Sequence, residues 1–142
     1  MCSSDLFAAI GQALQAFEQS QLLQPFTSKY DAVVRQQASF TPAEQRGLNL
    51  FLDRQRGNCA GCHAVPGQSG LVSTFAPSLV GVGSRMSATE LRQWITDARK
   101  IRPDTLMPAF GTTEGLRQTN PSRPILTERQ IEQVVAALQA WR

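Results

Sequence analysis

Three side chains able to bond carbon or iron fall within five consecutive positions: Cys59, Cys62 and His63. They make up Cys59-Ala60-Gly61-Cys62-His63, the Cys-x-x-Cys-His pattern of haem c attachment. Two thiols separated by two residues on one turn can reach the two vinyl groups along one haem edge and form thioethers. The next residue then lies under the ring, where an imidazole nitrogen meets the iron. Ala60 and Gly61 are small and let the backbone lie close to the porphyrin. A structural zinc site would need four ligands, and the remaining candidate is Cys2. A thioredoxin-like redox pair would need a βαβ setting, and no strand pattern precedes Cys59. The expected cofactor is one covalently held haem c.

His63 is the single histidine of the chain, so a second imidazole from this chain is excluded as the sixth ligand. Of the three methionines, Met1 is the start and Met86 precedes a helix. Met107 lies in Thr105-Leu106-Met107-Pro108-Ala109-Phe110, a loop far enough from His63 in sequence to pass over the opposite haem face. A thioether is a soft, neutral ligand that raises the potential of the iron relative to a second histidine. Met107 is therefore the expected axial partner of His63, with Met86 as second choice. The competing reading of Met107 is a gap-filler in the core. Pro77 is positioned to offer its carbonyl to the outer nitrogen of His63, fixing orientation and basicity. Arg85 can pair with a haem propionate or stand as a solvated surface arginine. No catalytic residue is expected.

The elements that must position these residues read as all-α. Apolar residues at Leu6, Ile10, Leu14 and Phe17 give one amphipathic helix over residues 6–20, ended by Pro25. A connector follows over 26–40, with a helical turn around 31–36. Thr41-Pro42-Ala43-Glu44 is a capping box with proline at the first helical position. It opens a helix to about Arg56 with Leu48, Phe51 and Leu52 on one side. Residues 59–85, rich in Gly, Pro and Ser, read as a long loop of the kind that wraps a functional group. Ser87-Ala88-Thr89-Glu90 starts a helix with Leu91, Trp94, Ile95 and Ala98 inward, ending before Pro103. Residues 102–126 form a second loop. The last helix starts at Thr127-Glu128-Arg129-Gln130 and shows Ile131, Val134, Val135, Leu138 and Trp141. Gly47 and Phe51 are expected to pack on Leu138 and Trp141, the glycine permitting close contact. Three or four helices and long loops would leave a hollow that a haem fills.

At 142 residues the chain suits one domain with a real core. Its apolar stretches are too short for a membrane span. Twelve Arg and two Lys against eleven acids give a net charge of +3, spread along the chain rather than gathered as in a nucleic-acid binder. Such a face suits an acidic partner or an anion such as an oxidised sulfur species. Residues 1–6 read as a non-native leader, since Cys2-Ser3-Ser4-Asp5-Leu6 matches what a sequencing-adaptor tail would encode. Truncation upstream, with loss of a signal peptide, is the expectation that follows. The organisation expected is a helix and connector over 7–40 and a haem domain over 41–142.

From Gly57 to Arg142 the sequence resembles SoxX, the small monohaem subunit of the SoxAX thiosulfate-oxidising cytochrome. The resemblance rests on Gly57-Asn58-Cys59-Ala60-Gly61-Cys62-His63 and on Ala76-Pro77-Ser78-Leu79-Val80-Gly81-Val82-Gly83-Ser84-Arg85. It continues in Asp97-Ala98-Arg99-Lys100, Pro103-Asp104-Thr105-Leu106-Met107-Pro108, Thr113-Glu114-Gly115-Leu116 and Arg123-Pro124-Ile125-Leu126-Thr127. It implies a class I cytochrome c-like fold and a periplasmic location. Cys59 and Cys62 would attach the haem, with His63 and Met107 as axial ligands. The implied partners are a larger SoxA-like haem subunit, in which thiosulfate is joined to a carrier cysteine, and a soluble cytochrome as electron acceptor. Residues 7–56 resemble a different family. Ile10-Gly11-Gln12-Ala13-Leu14-Gln15-Ala16-Phe17-Glu18, Ser28-Lys29-Tyr30-Asp31 and Thr41-Pro42-Ala43-Glu44-Gln45-Arg46-Gly47-Leu48 are similar to the segment linking the haem domains of bacterial di-haem cytochrome c peroxidases and MauG-like proteins. That resemblance implies a further haem motif upstream. A generic soluble monohaem shuttle is the remaining alternative.

Overall fold

Four helices begin with the same local device, a hydroxyl side chain that caps the third backbone N–H while the side chain at that position caps the hydroxyl residue's own N–H. Ser28 and Asp31 do this for α2 (Lys29–Val34), and Thr41 and Glu44 for α3 (Pro42–Leu52). Ser87 and Glu90 open α5 (Ala88–Asp97), and Thr127 and Gln130 open α6 (Glu128–Gln139). The other two helices are α1 (Ser3–Glu18) and the single turn α4 (Val82–Arg85), which starts at Gly81 with no side-chain cap. The computed structural model describes residues 3–18, 28–65, 75–114 and 123–142, and among them there are helices, turns and no strand. The expected stop at Pro25 lies outside the described residues.

Helix α3 ends at Leu52, four residues before the expected Arg56. Asp53 leaves the helical region at ψ 110°, and its carboxylate accepts the Gln55 N–H at 2.8 Å. That side-chain acceptor competes with the next helical turn. Helix α4 falls where the sequence reads as loop. It is held from a distance, because the Gly83 N–H donates to the Trp141 carbonyl at 2.9 Å and the Gln139 amide to the Met86 carbonyl at 2.9 Å.

The core is the packing of α3 on α6. At Gly47 the two backbones come so close that a Cβ would overlap the Gln133 carbonyl and lie 2.9 Å from Ala137 Cβ. Below this contact Phe51 meets Trp141 edge-on with ring centroids 5.1 Å apart, and Tyr30 meets the same indole at 5.3 Å. Trp141 and Phe51 are each 1% exposed. Burying one such aromatic side chain contributes about 2–3 kcal/mol. Tyr30 carries α2 onto this end of the bundle, its N–H donating to the Ala140 carbonyl at 3.1 Å. Helix α5 lays Leu91 and Ile95 into the same core, while Trp94 is only half-buried. Arg92 and Glu132 pair across α5 and α6 at the surface, where such pairs contribute little. Every residue of α1 from Leu6 to Phe17 is exposed. No described helix is long and apolar enough to cross a membrane.

Candidate haem site

The end of α3 delivers the motif. The Asn58 N–H donates back to the Asp53 carbonyl at 2.8 Å, and Asn58 takes left-handed dihedrals at φ 47°, a conformation Asn tolerates better than most residues. The chain then makes one 3-10 turn, Cys59–Gly61. The Cys59 carbonyl accepts from both the Cys62 N–H at 3.1 Å and the His63 N–H at 2.8 Å. One carbonyl thus places both sulfurs and the imidazole on a single turn. Of the two motif cysteines, Cys59 is half-buried and Cys62 exposed. Burial pushes the Cys59 thiol up to about 12, its own backbone N–H opposing and the neighbouring Cys62 adding a smaller rise.

His63 Nδ1 lies 2.9 Å from the Pro77 carbonyl oxygen. With the proton on Nδ1 this is a hydrogen bond, and Nε2 is left as the lone-pair nitrogen. The segment carrying Pro77 is pinned to the motif, since the Ala76 N–H donates to the Cys62 carbonyl at 3.2 Å. The Arg85 guanidinium donates to the Ser78 carbonyl at 3.0 Å. It braces the residue next to Pro77 and remains exposed.

Met107 stands on the other loop. Its N–H donates to Thr105 Oγ1 at 3.2 Å, and its side chain packs half-buried against the core, as do Cys59, Ala60, Leu79 and Met86. The return of this loop is stitched to the end of α5. The Phe110 N–H donates to the Ile95 carbonyl at 3.2 Å and the Gly111 N–H to the Thr96 carbonyl at 3.0 Å. Met86 is held differently, its N–H on the Val82 carbonyl at 3.0 Å and its carbonyl on Gln139.

The donor set fits a haem c. Two thiols and a thioether pack on or beside one core, and one imidazole has its outer nitrogen engaged. Among the described residues no group of three His, Cys, Asp or Glu side chains converges as a bare metal ion would require. The loops bearing Pro77 and Met107 also expose large apolar side chains, Val80 at 60% and Leu106 at 87%.

Asp97 and Arg99 were not singled out by residue type as site residues. Asp97 is 3% exposed, its carboxylate taking two hydrogen bonds from the Arg99 guanidinium, which also donates to the Glu114 carbonyl. A buried carboxylate is the signal, and burial is not visible in sequence. Asp-Ala-Arg marks the place only as a short pattern.

A family model described as Cytochrome c matches residues 44–140. In fold the chain is similar to a chain of the crystal structure of SoxXA from P. pantotrophus. The TM-score is 0.61 and the identity 30%, over 68% of this chain and 79% of that one. It is also 40% identical over 57 residues to the methylamine utilization protein MauG of Paracoccus denitrificans (strain Pd 1222). That match takes in 40% of this chain and only 14% of the MauG protein.

Proposed function

The chain belongs to the cytochrome c family, and from that premise we propose that it is a periplasmic SoxX-type subunit accepting electrons in thiosulfate oxidation. It is a c-type cytochrome, an electron carrier with covalently bound haem c. When bound, the haem supplies one-electron exchange at its iron. In our reading the chain's own residues do the rest. Cys59 and Cys62 would hold the haem through thioethers. His63 would bind the iron through Nε2, with Pro77 holding the ring orientation and raising its basicity. Met107 would be the other protein ligand to the iron, a neutral thioether that suits an acceptor of fairly high potential. Arg85 stiffens the Pro77 segment through Ser78.

The observation that carries the ligand reading is the 2.9 Å contact of His63 Nδ1 with the Pro77 carbonyl, since a hydrogen-bond acceptor on the outer nitrogen accompanies almost every metal-bound histidine. The SoxX-type reading is supported by the 30% identity to the SoxXA chain over 68% of this one, and by exposed Leu106 and Val80, which suit a permanent partner such as a larger SoxA-like haem subunit. Residues 7–40 would be a helix and connector, and 41–142 the haem domain.

Replacing Met107 with Ala tests the ligand. The expected result is loss of the low-spin methionine-ligated spectrum and a potential lower by tenths of a volt, within the roughly 0.8 V that axial ligation spans. An unchanged spectrum removes Met107 from the role. For the partner, a pull-down from a thiosulfate-grown source is expected to retain a larger haem subunit, and retention of none counts against the SoxX-type reading. The match to MauG favours a second reading, the C-terminal part of a di-haem peroxidase-like protein. A second in-frame Cys-x-x-Cys-His upstream of Leu6 would support it. Peroxide reduction needs an iron with an open position, which a firm Met107 would deny.

A further inference from the structure

Arg99 stands on Ala98–Lys100, the 3-10 turn that closes α5. Its Nε donates to Asp97 Oδ1 at 2.8 Å and its Nη2 to Asp97 Oδ2 at 3.0 Å, a bidentate pair. Asp97 is 3% exposed, and its Oδ1 also accepts the backbone N–H of Arg99 at 3.2 Å. The carboxylate is therefore fixed to the turn it sits on. From that fixed base Nη2 also donates to the Glu114 carbonyl, seven residues beyond Met107. Between the two, Phe110 and Gly111 are already stitched to the Ile95 and Thr96 carbonyls. The segment after Met107 thus meets α5 and its closing turn at three places, and the last of them is a charged side chain.

We infer that Asp97 and Arg99 form a latch on the Met107 loop, making Arg99 a positioning residue that sets how readily the thioether is displaced from the iron. The inference rests on the reading of Met107 as axial ligand. A thioether is a neutral, weak donor. Its hold on iron against a better ligand depends on what it costs to swing its loop away. A charge-assisted, bidentate anchor is the stronger kind of hydrogen bond, and it raises that cost without touching the metal. Lysine cannot replace it, because one ammonium lacks the planar fork that faces a carboxylate and a carbonyl together.

The experiment titrates the haem-loaded full chain with imidazole and follows loss of the methionine-to-iron charge-transfer band. Arg99→Ala is expected to bind imidazole roughly tenfold more tightly than the parent, the equivalent of about 1.4 kcal/mol. Arg99→Lys, which keeps the charge and serves if the alanine variant does not fold, is expected to show most of that shift. Arg92→Ala breaks the surface pair with Glu132, away from the loop, and is expected to leave the affinity unchanged. Parent-like affinity in the Arg99 variants, or an equal shift in Arg92→Ala, overturns the latch. Met107→Ala run alongside separates the two failures. If it keeps the parent spectrum, the ligand reading falls and takes the latch with it. If it loses that spectrum while the Arg99 variants stay parent-like, the latch alone falls.

Discussion

The Arg99 guanidinium beside Asp97 holds its carboxyl below the ordinary value of 3.8, burial opposing and the Arg99 N–H and the Lys100 charge adding to the effect. A carboxyl depressed in the folded state stabilises the fold as its anion. That contribution is complete above the unfolded value and is lost as pH falls through the folded one. Asp97→Asn is therefore expected to be less stable than the parent at neutral pH, and to lose less on acidification. Urea midpoints between about pH 7 and pH 3 check this, and parallel curves for the two proteins would contradict it. Residues of this kind divide sharply in how far sequence shows them. Cys59, Cys62 and His63 announce themselves because the chemistry demands contiguous positions. Arg99 does not, because its partner across the loop is a backbone carbonyl, which carries no residue type. Pro77 falls between the two, a carbonyl acceptor inferred from its place in Ala76-Pro77-Ser78 rather than from its side chain.

Among the elements, the helix starts are the legible part. Thr41, Ser87 and Thr127 cap their helices with partners three residues away, so the device lies wholly inside a short window. Ser28-Lys29-Tyr30-Asp31 uses the same geometry with Asp in the place of Glu or Gln, which hid it. Helix ends and α4 are less legible because their determinants are remote: Trp141 and Gln139 support α4 from the far end of the chain. Gly47 permits a close contact that residue type alone suggests, and the contact is with the Gln133 backbone itself. Helix propensity alone makes Gly47→Ala stabilising by about 1 kcal/mol. The overlap with the Gln133 carbonyl predicts the opposite sign, a loss of about 3 kcal/mol at the upper end for overpacking. Chemical unfolding of the haem-loaded protein decides between them, and a variant at least as stable as the parent would show that α3 and α6 can separate at little cost.

At the scale of the whole molecule, α1 and the haem domain behave differently. Leu6, Phe7, Ile10, Leu14 and Phe17 are between 47% and 74% exposed, so the helical period is right while the apolar stripe contributes nothing to the described core. Removal of residues 1–18 is expected to leave the spectrum unchanged and the thermal midpoint within about 2 °C of the parent. A larger drop, read by melting the haem-loaded chains side by side, would mean that α1 packs after all. Residues 28–40, by contrast, are tied to the core by Tyr30 on Trp141 and by Lys29 on Glu44 at 2.6 Å.

Helix α6 is what the parts of this unit have in common. It meets α3 at Gly47, steadies α4 through Trp141 and Gln139, and pairs with α5 through Glu132. The Met107 loop returns into it, the Leu126 N–H donating to the Phe110 carbonyl at 2.9 Å just before the Thr127 cap. The segments proposed to grip the iron from its two sides are thus referred to one rod, in an interior as dense and incompressible as an organic crystal. An electron hops fastest when the atoms around the metal scarcely rearrange between its two oxidation states. With both segments registered on α6, the two residues proposed as ligands would move together, and little rearrangement would accompany a change of charge.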